Sequence, residues 1–75
     1  MKINYELDYF ELQDAAIEFM KLELQDIKKA IQYVRTNVVP EEELAELPKL
    51  EAAASALLVL LKYNMSRTEW EEYNA

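Results

Sequence analysis

Residues 9–36 read YFELQDAAIEFMKLELQDIKKAIQYVRT, a stretch with no proline or glycine. Within it Ile17, Met20, Leu24, Ile27, Ile31 and Val34 follow a strict 3-4-3-4-3 spacing. That is the period of a helix with one apolar seam. Phe10 and Val38 continue the series and Gln13 interrupts it. If Ile17 is heptad position a, the e positions are Asp14, Lys21, Lys28 and Arg35, and the b positions are Glu11, Glu18, Gln25 and Gln32. These make a polar face. Asp8 followed by Glu11 reads as a capping box, which predicts a first helix over about 9–36, roughly 40 Å long at 1.5 Å per residue.

The other flank of this helix is not polar. Leu12, Phe19, Leu22 and Tyr33 lie outside the seam, together with Ala15, Ala16 and Ala30. An apolar arc this wide exceeds what a single neighbour covers. The expected division assigns Ile17, Met20, Leu24, Ile27, Ile31 and Val34 to packing within the chain. Leu12, Phe19, Leu22 and Tyr33 then form a flank for a second copy or another partner.

Downstream, Asn37-Val38-Val39-Pro40 ends the helix, because Pro40 cannot continue it and holds Val39 extended. Pro40 then opens a short helix over about 41–47, with Glu41, Glu42 and Glu43 on its positive N-terminal dipole. Pro48 repeats the device and predicts a third helix over about 49–64, where Glu51, Ser55 and Lys62 form the polar strip. A helix apolar nearly all round is expected to be buried, and Ala52, Ala53, Ala54 and Ala56 would allow close approach of a neighbour. Asn64 is the stop. Ser66 with Glu69 is a second capping box opening a helix over about 67–74, on which Trp70 and Tyr73 share a face that either folds this helix back onto the bundle or supplies aromatic anchors for a partner. Upstream, residues 2–9 alternate apolar with polar, which suggests an extended arm packing on the helices, across a dimer.

Composition supports the same class. The chain has 75 residues, a net charge of −7, and no Gly, Cys or His. Without glycine, tight β-turns and phosphate-binding loops lose the residue that enters φ > 0 at no steric cost. Without Cys and His there are no disulfides, no thiolate or imidazole metal ligands and no ordinary nucleophile–base pair. Glu18, Glu23 and Asp26 lack a histidine to complete a di-metal site, and Ser55, Ser66 and Lys62 offer only a weak Ser–Lys pairing. No catalysis, cofactor or metal is expected. Chains this short seldom gain more than ~3–5 kcal/mol from one core, which leaves association as the remaining means of stabilisation.

The acidic balance opposes contact with nucleic-acid phosphates or anionic membranes. A helix-turn-helix reading of residues 41–74 would set Glu69, Glu71 and Glu72 against phosphates. The longest uncharged run, Ala52–Leu61, is about half of the ~20 residues needed to span a bilayer. The N-terminus turns acidic at once, unlike a signal peptide, so a cytoplasmic location is expected.

The sequence thus predicts an all-α single domain, 1–75, forming a small helical bundle completed by homodimerisation. The expected role is a non-catalytic regulator or inhibitor that binds itself and another protein stoichiometrically. Phage- or mobile-element-encoded antagonists of host enzymes share this profile. One mode is a DNA-mimic surface built from Glu41, Glu42, Glu43, Glu46, Glu69, Glu71 and Glu72. The alternatives are a structural homo-oligomer or assembly subunit, and a ligand-sequestering protein with a pocket between subunits lined by Tyr33, Tyr63 or Trp70.

Overall fold

The computed structural model describes residues 8–75, so most of the proposed arm lies outside the described residues. Three helices follow one another: α1 over Tyr9–Thr36, α2 over Glu41–Asn64 and α3 over Arg67–Tyr73. The described residues are helical apart from short connections. No helix among them is long and apolar enough to cross a membrane.

Each boundary has a local cause. At the start of α1 the Asp8 carboxylate accepts from the Glu11 amide at 2.8 Å, and the Glu11 side chain accepts from the Asp8 amide at 3.3 Å. Ser66 and Glu69 make the same reciprocal pair at the start of α3. The helices end on Asn37, Met65 and Asn74, all with negative φ. No described residue has positive φ. A chain without glycine can therefore build every one of these caps without a left-handed residue.

The second and third expected helices are one. Pro48 lies inside α2 and does not break it. Its ring fixes a φ that suits a helix, and its missing N–H deprives only the carbonyl of Leu44. Leu47 and Leu50, on either side of it, are half-buried. At 100° per residue they share a face with Ala54, Leu57 and Leu61, so packing on α1 is continuous across the proline.

α1 and α2 form an antiparallel hairpin joined by residues 37–40. Near one end the Gln13 amide donates to the Asn64 carbonyl at 3.0 Å. The polar residue that interrupts the seam thus satisfies an orphan carbonyl at the C-terminus of α2. Nearer the other end Arg35 meets Glu51 at 3.0 Å. The core cluster is Ile17, Leu24, Leu61 and Met65, with Met20, Ala54, Leu57, Leu58, Trp70 and Tyr73 packed against it.

Three expectations need correction. α2 is not a buried helix: among its residues only Leu61 is fully enclosed, while Tyr63 is 84% exposed. A single neighbouring helix covers one side of a cylinder, and among the described residues α2 has α1 along its length and the short α3 only near its C-terminal end. Phe10 and Val38 do not extend the seam and are 74% and 104% exposed. Phe10 lies beyond the end of α2, which reaches only as far as Gln13, and Val38 is outside the helix. The last helix ends at Tyr73, with Asn74 as its cap.

The molecule is thin. Its Cα extents are 47 × 35 × 15 Å, so the smallest dimension holds at most two helix layers. The radius of gyration is 15.5 Å, against about 11 Å for a compact domain of this length.

Candidate functional site

The expected seam divides into Ile17, Leu24 and Val34, which are buried, and Met20, Ile27 and Ile31, which are half-buried. The four residues of the flank stay open: Leu12, Phe19, Leu22 and Tyr33 are 51–64% exposed. They lie on α1 away from α2, and among the described residues only Tyr73 approaches them, across a trough that Leu22 borders.

The two flanks of the hairpin differ. On one flank of α1 stand Lys21, Lys28 and Arg35, and Arg35 marks this side as the one that meets Glu51 on α2. α3 folds over the same side. Trp70 and Tyr73 pack on the core, with ring centroids 6.4 Å apart, and Lys21 Nζ sits 5.5 Å from the Tyr73 ring centroid. Beside them is an open trough of about 610 Å³ between Tyr73 and the α1 residues Lys21, Leu22, Gln25, Lys28, Lys29 and Gln32. The opposite flank has no such cover among the described residues. Helical geometry places Leu12, Ala16, Phe19 and Ala30 of α1 on it, together with Ala53, Ala56 and Leu60 of α2. Leu60 is 49% exposed, and Val59 on the outer side of α2 is 54% exposed.

Outside the seam, α1 carries a second heptad ladder. Leu12, Phe19, Asp26 and Tyr33 recur at intervals of seven, and Ala15, Leu22, Lys29 and Thr36 run beside them. Asp26 and Lys29 are the two charges in this otherwise mostly apolar ladder, and both are exposed. Glu18 and Lys21, also three apart, close an ion pair at 3.2 Å, as do Glu46 and Lys49 at 3.5 Å. Asp26 and Lys29 have no ion-pair partner among the described residues.

The acidic residues are all exposed, but they form two groups. Glu41, Glu42, Glu43 and Glu46 stand at the start of α2, and Glu69, Glu71 and Glu72 follow its far end. A helix of 24 residues separates them, roughly 35 Å at 1.5 Å per residue. Several are already engaged: Glu46 with Lys49, Glu71 with Arg67, and Glu69 in its capping box. The Glu69 carboxyl is held below the usual glutamate range, first by the Ser66 amide and then by the Ser66 hydroxyl, with Lys21 adding to the effect. No three acidic side chains among the described residues converge to hold a metal ion.

Sequence reasoning missed Met65 and the contact between Lys21 and Tyr73. Met65 caps α2 and is 7% exposed, because the turn into α3 folds it under Trp70. Its position after a helix stop marked it as linker. Lys21 belonged to the polar e row, where nothing foretold an aromatic ring folding back from more than fifty residues away.

No family model matches the chain. No curated protein matches it, nor does any solved structure.

Proposed function

We propose that this chain is a non-catalytic binding domain that pairs with itself through the face of α1 that looks away from α2 and, as a dimer, regulates another protein by stoichiometric association. The observation that carries this reading is the open ladder on the face of α1 that looks away from α2. That face presents Leu12, Phe19, Leu22 and Tyr33 to solvent. Contiguous apolar surface of this kind marks an interaction site.

Light scattering or sedimentation at micromolar concentration tests the reading. The wild type is expected to behave as a dimer, and Phe19→Asp as a folded monomer, because it replaces the largest apolar side chain of that face with a charge. A wild type that stays monomeric to hundreds of micromolar would remove the proposal. The regulatory role is tested by capturing proteins from the native host with wild-type chain and with Phe19→Asp. A regulator working as a dimer retains its target only with the wild type.

A DNA-mimic mode finds less support, since the two acidic groups stand at opposite ends of α2 and do not form one phosphate-spaced surface. If Glu41→Lys, Glu42→Lys and Glu43→Lys together leave target capture unchanged, mimicry through that block is excluded.

A further inference from the structure

Resting on that dimer reading, we infer that the second copy docks with its α1 antiparallel to the first, the two-fold axis passing between Asp26 and Lys29. Each Asp26 then pairs with Lys29 of the second copy. The inference begins with the two charges in the ladder 12, 15, 19, 22, 26, 29, 33 and 36. Both are exposed, and neither has an ion-pair partner among the described residues. They would be a liability in an apolar interface unless the second chain supplied the opposite charge at the same height.

Charge decides the orientation. A parallel pairing sets Asp26 against Asp26 and Lys29 against Lys29, and directly facing like charges repel. An antiparallel pairing about a point between residues 26 and 29 makes two identical Asp26–Lys29 contacts, since a two-fold interface repeats each contact. The same register brings Leu22 against Tyr33 of the second copy, twice, so large apolar residues flank the charged centre on both sides. Sliding the register by half a heptad either faces Asp26 with itself or presses it on Leu22 or Phe19. One register pairs both charges and both aliphatic–aromatic contacts.

Sedimentation equilibrium on wild type, Asp26→Lys, Lys29→Asp and the double variant tests this, with circular dichroism confirming that each remains helical. Each single variant turns two attractive contacts into two repulsive ones and is expected to weaken dimerisation at least about tenfold, and the double variant is expected to recover it. In a parallel dimer the double variant would be no better than the singles. If all four proteins dimerise equally, the register is wrong while the dimer stands. A monomeric wild type would instead remove the dimer reading itself. Because the chain has no cysteine, an independent check is available by oxidising a mixture of Leu22→Cys and Tyr33→Cys chains. The antiparallel register gives a cross-linked heterodimer. Self-linked Leu22→Cys chains as the main product would overturn it.

Discussion

Leu24 and Leu61 are the two side chains with no exposed surface, one from each long helix. With so few buried residues, each carries a large share of the stability. Leu24→Ala and Leu61→Ala are each expected to cost about 2–5 kcal/mol, which is comparable to the whole stability of many domains of this size. Urea unfolding followed by helical circular dichroism should show that loss, and Leu12→Ala, on the open flank, should change little in a monomer. Glu69 provides a pH dependence. Its carboxyl titrates below the ordinary glutamate range when folded, so its contribution is present above that range and lost as pH falls through the folded value. Trp70, the next residue, reports on α3. Its fluorescence is expected to show an acid transition that Glu69→Gln weakens, since glutamine keeps an acceptor but has no charge to lose. An unchanged transition in that variant would assign the acid sensitivity to other carboxylates.

Among the elements, α2 shows what could be read from the sequence and what could not. The capping boxes at Asp8 and Ser66 placed the starts of α1 and α3, because a side chain that caps its own helix is a local signal. Pro48 misled for an equally physical reason. As a local signal it predicts a helix start, but continuous packing of Leu47, Leu50, Ala54 and Leu57 along α1 outweighs one missing hydrogen bond. That is a tertiary effect. If this account holds, Pro48→Ala restores the bond to the Leu44 carbonyl and raises stability by up to about 3 kcal/mol. A thermal melt should move upward, whereas a fall would mean that the proline shapes the packing of α2. The flank of Leu12, Phe19, Leu22 and Tyr33 was legible as surplus from the width of the apolar arc. Which side of the hairpin α3 would close was not, because that depends on how Met65 turns the chain.

At the scale of the whole molecule the governing fact is a layer at most two helices thick. Such a shape leaves apolar surface on both long helices, and stability should then depend on protein concentration. A melting temperature that rises with concentration for wild type and stays constant for Phe19→Asp is the expected signature of coupled folding and association. A flat response in both proteins would mean that the single layer is self-sufficient.

The thin layer also governs how backbone amides meet solvent. Among the described residues no helix of the hairpin is shielded on all sides, so hydrogen exchange should be set by small local openings, with the slowest amides near Leu24 and Leu61. Association would add protection only where the second copy lies. Amides around Phe19, Leu22 and Asp26 are therefore expected to slow as concentration rises. Those in the first turn of α2, far from the proposed axis and ahead of Pro48, should exchange at one rate throughout, so exchange measured at two concentrations would outline the interface residue by residue.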